Sequence, residues 1–289
     1  MQVEDLLISR RLALVASTAV MTSYALPAAA DSGAMEALEQ RYGGRLGVFA
    51  LDLQTGRTVT HRADQRFKLR STFKGLLAAL VLADVSRDAE SLGAIVHFGQ
   101  ADLLPASPIT TAAIARGQMT VGELCEAIMY RSDNAAANLL MARCGGPDRL
   151  TSFLRRLGDR VTRVDSYEGQ MEGRPASFDT TSPRAIVETA RRLLLGNTLP
   201  ALARKQLAHW MRGNVVGRSR LRASFPPDWI SGDRTGTSEG VCNDYAFAER
   251  PGRAPLFMSA YYAAPGMLLS DQEAVLRAVS QTIVEWQKV

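Results

Sequence analysis

The chain has 289 residues, of which 46% are hydrophobic and 22% charged, enough apolar material for one large globular unit or two lobes and too mixed in sign for a disordered chain. The formal net charge is +5. The arginines are scattered, with no Lys/Arg run of five or more and no basic stripe interleaved with aromatics, so the surface reads as solvated and basic and no nucleic-acid partner is expected.

The first thirty residues read as a signal peptide that is removed. Arg10 and Arg11 precede a moderately apolar run from Leu12 to Leu26, and Ala28-Ala29-Ala30 offers small residues for a signal peptidase. Ser9-Arg10-Arg11-Leu12-Ala13-Leu14 resembles the twin-arginine export signal, the alternative being an ordinary secretory n-region. Either way the mature protein is expected to begin near Asp31, in the periplasm or secreted. No other stretch is long and apolar enough to span a bilayer, so no membrane contact is expected after cleavage.

From there Met35 to Tyr42 predicts a short helix, Gly47 to Leu53 a strand, Gln54-Thr55-Gly56 a turn, and Thr58 to His61 a second strand. Apolar positions then recur at helical spacing over 72–84, 121–131, 133–143, 148–157, 183–195 and 201–212. The strand signal returns from Ile230, through Tyr245 to Phe247 and Pro255 to Ala263, and a last helix is predicted from about Asp271, placed as its cap, to Lys288. The expectation is an α+β fold of three layers, α/β/α. An antiparallel sheet lobe is built from both ends (31–69 and 213–289), a helical lobe (70–212) is inserted, and the active site lies in the cleft between them.

Three cysteines, Cys125, Cys144 and Cys242, leave at least one unpaired, and buried free thiols are expected for the first two. There is no Cys-x-x-Cys, and His61, His97 and His209 are far apart, so neither a metal nor another cofactor is expected.

Three short motifs carry chemistry. Ser71-Thr72-Phe73-Lys74 places a hydroxyl and an amine a turn apart at a helix start. A serine is a weak nucleophile until a neighbour helps remove its proton, and a helix N-terminus favours a developing oxyanion. A helix cap with a surface lysine is the plain alternative, but only Lys68, Lys74, Lys205 and Lys288 are lysines among 34 basic residues, so a lysine at that spacing is informative. Ser132-Asp133-Asn134 supplies short polar side chains at a helix junction, where a simple capped turn is the alternative. Arg234-Thr235-Gly236-Thr237 sets a cation, hydroxyls and a glycine along a strand, suited to an anionic substrate close to backbone, or to an ordinary edge strand.

Taken in order, the three motifs resemble those of class A serine β-lactamases and penicillin-binding proteins. The likeness extends through Met119-Thr120-Val121 to Asn138, Gly145-Gly146-Pro147, Asp179-Thr180-Thr181-Ser182-Pro183, Asn243-Asp244-Tyr245 and Gly252-Arg253-Ala254-Pro255. The resemblance implies an enzyme acting on a small β-lactam; the sequence is silent on oligomeric state, and a monomer is the default expectation. Ser71 is then the acylated nucleophile, and Lys74 and Ser132 move protons. Asn134 holds the substrate amide, while Arg234, Thr235 and Thr237 bind its carboxylate beside Gly236. The backbone N–H groups of Ser71 and Thr237 form the oxyanion hole. Arg220 stands where some members keep a second carboxylate-steering cation, with a solvated arginine as the alternative. The approach Thr162 to Tyr167 nominates Glu168 as the base that activates water against the acyl-enzyme.

The sequence also departs from that pattern. Ser166 stands where the family has an arginine that pairs with the aspartate corresponding to Asp179, so that ion pair cannot form. The loop between Glu168 and Asp179 and the hairpin after Thr237 are each about two residues short. Glu172 replaces a water-binding asparagine and is a second carboxylate near Glu168. Arg70 and Ala78 replace disulfide cysteines of subgroups, and Ala106 replaces an aromatic gate. A penicillin-binding protein, a D-Ala-D-Ala carboxypeptidase, or a sensor that acylates once, are the competing readings. Glu168 and a mature length of about 260 residues favour the hydrolase.

Overall fold

The computed structural model describes residues 32–171 and 173–288; the signal-peptide expectation falls on residues outside this range. Helix α1 (Ser32–Tyr42) leads into β1 (Arg45–Asp52) and β2 (Thr58–His61), then a two-residue strand β3 (Phe67–Lys68). A 3-10 turn at Arg70–Thr72 precedes α2 (Phe73–Val85), followed by β4 (Ile95–His97), α3 (Pro108–Ala112) and β5 (Gln118–Thr120). Helices α4 (Val121–Arg131), α5 (Asn134–Arg143) and α6 (Pro147–Arg156) come next, then β6 (Thr180–Thr181), α7 (Pro183–Leu195) and α8 (Ala201–Arg212). Strands β7 (Ile230–Ser238), β8 (Val241–Arg250) and β9 (Arg253–Ala263) and helix α9 (Leu269–Trp286) close the chain.

The five-stranded sheet has the order β2-β1-β9-β8-β7, antiparallel throughout. β1 from the start of the chain thus pairs along its whole length with β9 from the end, Arg45 opposite Ala263 through Asp52 opposite Leu256. Alternation along the strands sorts two cores. Leu46, Val48, Ala50, Met258 and Ala260 face α1 and α9 with Val275, Val279 and Ile283. Phe49, Tyr245, Phe247, Phe257 and Tyr261 face the helical layer. This is the expected three-layer α+β fold. α7 lies against the second face: Arg184 stacks over Phe49 and Ser259 Oγ donates to the Pro183 carbonyl at 2.9 Å.

Helix α2 is buried from Phe73 through Asp84, which makes it the axis of the helical layer instead of an amphipathic surface helix. One boundary differs from expectation. α9 is capped at Leu268, and Asp271 lies inside its first turn, where a carboxylate still complements the positive helix end.

The sheet is clamped at one end by a buried ion pair. Arg250 donates to both carboxylate oxygens of Asp52, and its Nη1 to Gln287 Oε1 at 2.9 Å, joining β8, the end of β1 and the residue after α9. Asp52→Ala is expected to cost about 3–5 kcal/mol in urea unfolding, because it strands a buried guanidinium. Adding Arg250→Met should recover part of that loss, and strictly additive losses would refute the pairing.

Candidate active site

The 3-10 turn Arg70–Thr72 carries Ser71 just ahead of α2. Thr72 Oγ1 donates back to the Leu69 carbonyl at 2.6 Å, and Tyr261 on β9 donates to Thr72 Oγ1 at 3.0 Å, so the sheet holds the turn. β7, at the edge of the sheet, packs against the turn's other side. A Cβ on Gly236 would lie 2.7 Å from the Leu69 carbonyl oxygen and 3.0 Å from Arg70 Cβ. Glycine there serves the close approach of the turn that carries Ser71.

Lys74 is fully buried. Its Nζ donates to the Ser132 carbonyl at 2.7 Å and to Asn134 Oδ1 at 2.6 Å, and pairs with Glu168 Oε1 at 2.8 Å. Ser71 Oγ donates to the same Glu168 oxygen at 3.1 Å. Ser132 sits between α4 and α5 in left-handed backbone (φ 58°). The buried Asp133 caps α5 by accepting from Ala136 N, and also accepts from Ile109 N and Thr110 N, fixing α3 against the turn. Ser132 Oγ accepts from Arg234 Nη2 at 2.7 Å and lies 3.4 Å from Lys74 Nζ, which leaves its own hydrogen free to be given away.

Burial pushes the Lys74 ammonium down to about 8, Arg234 adding to the effect and Glu168 opposing it. Arg234 is also fully buried and is lowered to about 10, again by desolvation first. Beneath it lie two buried carboxyls, Asp233 and Asp244, both raised chiefly by burial, Asp244 well above its ordinary value with Asp233 as the next cause. Asn214 Nδ2 and Arg222 Nη1 donate to Asp233, each at 2.9 Å, and a Cβ on Gly217 would fall 1.5 Å from Asp233 Oδ2.

Arg220 is not a solvated arginine. It is 1% exposed, and its Nη2 donates to Thr237 Oγ1 at 2.6 Å, its Nη1 to the Asn243 carbonyl at 2.9 Å, and its Nε to Glu273 at 3.1 Å. The structure therefore brings together Ser71, Lys74, Ser132, Asn134 and Glu168 in one hydrogen-bonded cluster that Arg234 joins through Ser132. Thr235 and Gly236 follow Arg234 on β7, and Thr237 stands exposed at the strand's far end. Asn134, expected at a substrate amide, has Oδ1 on Lys74 and Nδ2 on the Pro105 carbonyl at 2.9 Å.

The loop that carries Glu168 is locked without the missing arginine. Asp179 Oδ1 accepts from the N–H groups of Asp165 and Ser166 at 2.8 and 3.1 Å, and Ser166 Oγ donates to Asp179 Oδ2 at 2.7 Å. The serine thus keeps the aspartate engaged through a neutral bond, and a cation is supplied nearby by Arg163 on Asp165. Asn138 was not singled out from sequence. Its Oδ1 accepts from Glu168 N at 2.8 Å and its Nδ2 donates to the Glu168 carbonyl at 3.1 Å, clamping the loop to α5. Its signal is the four-residue step from Asn134, which puts both amides on one helix face. Glu172 lies outside the described residues. Cys125, Cys144 and Cys242 are free and buried.

A profile of the β-lactamase enzyme family matches residues 32–287. The carbapenem-hydrolyzing β-lactamase KPC of Klebsiella oxytoca is 44% identical over 252 residues, covering 86% of this chain and 86% of the relative. The β-lactamase SME-1 of Serratia marcescens is 41% identical over 229 residues, 78% of each. The crystal structure of a β-lactamase from Burkholderia vietnamiensis superposes with a TM-score of 0.88 at 48% identity, covering 90% of this chain and 97% of that one. The last common ancestor of Gram-negative bacteria class A β-lactamase gives 0.84 at 44% identity, covering 88% and 97%.

The depressed Lys74 value has a consequence for stability. Between about 8 and the ordinary lysine value of 10.5 the unfolded chain holds a proton that the folded one has released, so the penalty for burying Lys74 shrinks as pH rises above about 8. In urea unfolding the wild type should gain on Lys74→Met by on the order of 1 kcal/mol per pH unit from pH 8 towards 10. Parallel stability profiles for the two proteins would contradict it.

Proposed function

We propose that this chain, which belongs to the β-lactamase enzyme family, opens the β-lactam amide through an acyl-enzyme on Ser71 that water activated by Glu168 then hydrolyses. The chain is a class A β-lactamase, a hydrolase whose action on β-lactams supports antibiotic resistance. The observation that carries the residue assignment is the 3.1 Å hydrogen bond from Ser71 Oγ to Glu168 Oε1, an oxygen already held 2.8 Å from Lys74 Nζ.

In acylation Glu168 takes the Ser71 proton as Oγ bonds to the lactam carbonyl carbon. The oxyanion is held by the N–H groups of Ser71 and Thr237. As the C–N bond breaks, Ser132 gives its proton to the nitrogen, is reprotonated by Lys74, and Lys74 recovers the proton from Glu168. Glu168, again a carboxylate, then deprotonates a water. That oxygen attacks the ester carbonyl, and Ser71 leaves with the proton. Thr235 and Thr237 hold the substrate carboxylate in the field of Arg234 and Arg220, and Asn134 holds the amide side chain. The site is complete within a single copy, so the working unit is read as a monomer.

Intact-mass time courses with benzylpenicillin test the assignment. Ser71→Ala should form no adduct, and Glu168→Gln, with Lys74 left to take the Ser71 proton, should form one adduct more slowly and hold it while turnover falls by at least about 10³-fold, within the range of losing a general base. Asn138→Ala should lower kcat with KM changed less, because it frees the Glu168 backbone. Turnover surviving in Glu168→Gln would remove Glu168 from the role.

We further propose export to the periplasm or medium by the twin-arginine route, on the strength of Arg10-Arg11 before an apolar run. Arg10→Lys with Arg11→Lys should leave the enzyme inside the cell, and undiminished export would point to the general secretory route.

A further inference from the structure

The cavity behind the Glu168 loop is set apart by its charge. Arg45 on β1, Arg66, and Lys68 on β3 line a space of about 210 Å³, closed on the other side by Ala176 and Thr180 of the loop's returning limb and by Asn243 of β8. That is several times the roughly 30 Å³ share of one water and below the roughly 300 Å³ at which drug-sized ligands begin. No carboxylate lines it.

Arg163, Arg184 and Arg222 are answered by acids, Asp165, Asp64 and Asp233, whereas Arg155, Arg192 and Arg204, each on its own and away from this cavity, bond backbone carbonyls. Among the described residues, Arg45, Arg66 and Lys68 bond only to neutral oxygens, and all three share this one cavity. Arg45 reaches the Arg66 carbonyl at 3.0 Å and Gln65 Oε1 at 2.8 Å. Arg66 reaches the Val161 carbonyl at 2.7 Å and Thr180 Oγ1 at 3.0 Å. Lys68 reaches the carbonyls of Pro175 and Phe178 at 2.9 and 3.1 Å. A guanidinium has five N–H donors and an ammonium three, so these bonds leave donors over on all three side chains. Arg45 is fixed by stacking on Phe67, 3.9 Å from the ring centroid. Guanidinium forks held in place with no acid within bonding distance, Glu39 acting on Arg45 only through space, match the oxygens of a tetrahedral anion.

We infer that this cavity binds a small tetrahedral oxyanion, phosphate or sulfate, tying β1 and β3 to the returning limb of the loop. The inference stands apart from the acylation chemistry: Asn243 Nδ2 donates to the carbonyls of Lys68 and Leu69, so the chain itself separates the cavity from Ser71.

The test is thermal unfolding of the full mature protein titrated separately with phosphate and with sulfate, against chloride at matched ionic strength. At ten times its Kd the bound anion should raise Tm by about 3 °C. Arg45→Gln should abolish that shift while hydrolysing benzylpenicillin at the wild-type rate, and Arg45→Lys should keep part of it. The separate titrations tell which anion the site prefers. A crystal soaked in selenate should show its anomalous peak among Arg45, Arg66 and Lys68. No shift over chloride, an equal shift in Arg45→Gln, or a peak confined to the Arg234–Thr237 strand would overturn the inference.

Discussion

A single buried ammonium organises this protein. Lys74 projects from a helix that is otherwise almost wholly apolar and buried. An unpaired ion in such a place would cost several kcal/mol even after relaxation. Its three protons meet three acceptors drawn from two other segments: the Ser132 carbonyl and Asn134 Oδ1 between α4 and α5, and Glu168 from the loop. Satisfying the lysine therefore fixes the three pieces of the site relative to one another. The left-handed backbone at Ser132 is part of the same arrangement, since it turns that carbonyl onto Nζ.

A second tier of charge stands behind the first. Ser132 Oγ lies between Lys74 and Arg234, two cations, so its hydroxyl is surrounded by donors and positive potential. Arg234 is in turn held in the field of the buried Asp233 and Asp244 carboxyls, both raised chiefly by burial, Asp244 further by the charge of Asp233. Two cations, Lys74 and Arg234, are thus set between the loop carboxylate and the buried carboxyls. Arg220 extends the pattern sideways: by donating to Thr237 Oγ1 it leaves that hydroxyl's hydrogen directed elsewhere.

Most helix spans could be read from spacing alone, because apolar residues every three to four positions report a one-sided face. α7 and α8 begin and end where the pattern does. The two- and three-residue strands β3, β4, β5 and β6 carry no periodicity to read and exist only through their partners. The three motif segments picked out Ser71, Lys74, Ser132 and the strand that carries Arg234, since such chemistry needs particular residue types at fixed spacings. What escaped was positional. Arg220 looks from sequence as much like a surface arginine as a buried one, and its burial depends on carbonyls and a carboxylate up to 53 residues away. Asn138 clamps a backbone 30 residues distant, and Ser166 replaces an ion pair with hydrogen bonds. Neither could be deduced without the loop's path.

The three thiols have a consequence for how the folded chain meets an oxidant. Burial raises Cys144 and Cys242 to about 12, and Cys125 well above its ordinary value. At neutral pH the thiolate fraction of the first two is then on the order of one part in 100,000, and the thiolate is the form that attacks a disulfide or an oxidant. Once folded, the chain is chemically silent in an oxidising compartment despite its odd cysteine. The hazard belongs wholly to the unfolded chain, whose exposed thiols are free to cross-link, so what protects this enzyme from scrambled or intermolecular disulfides is the order of events: folding before meeting an oxidant.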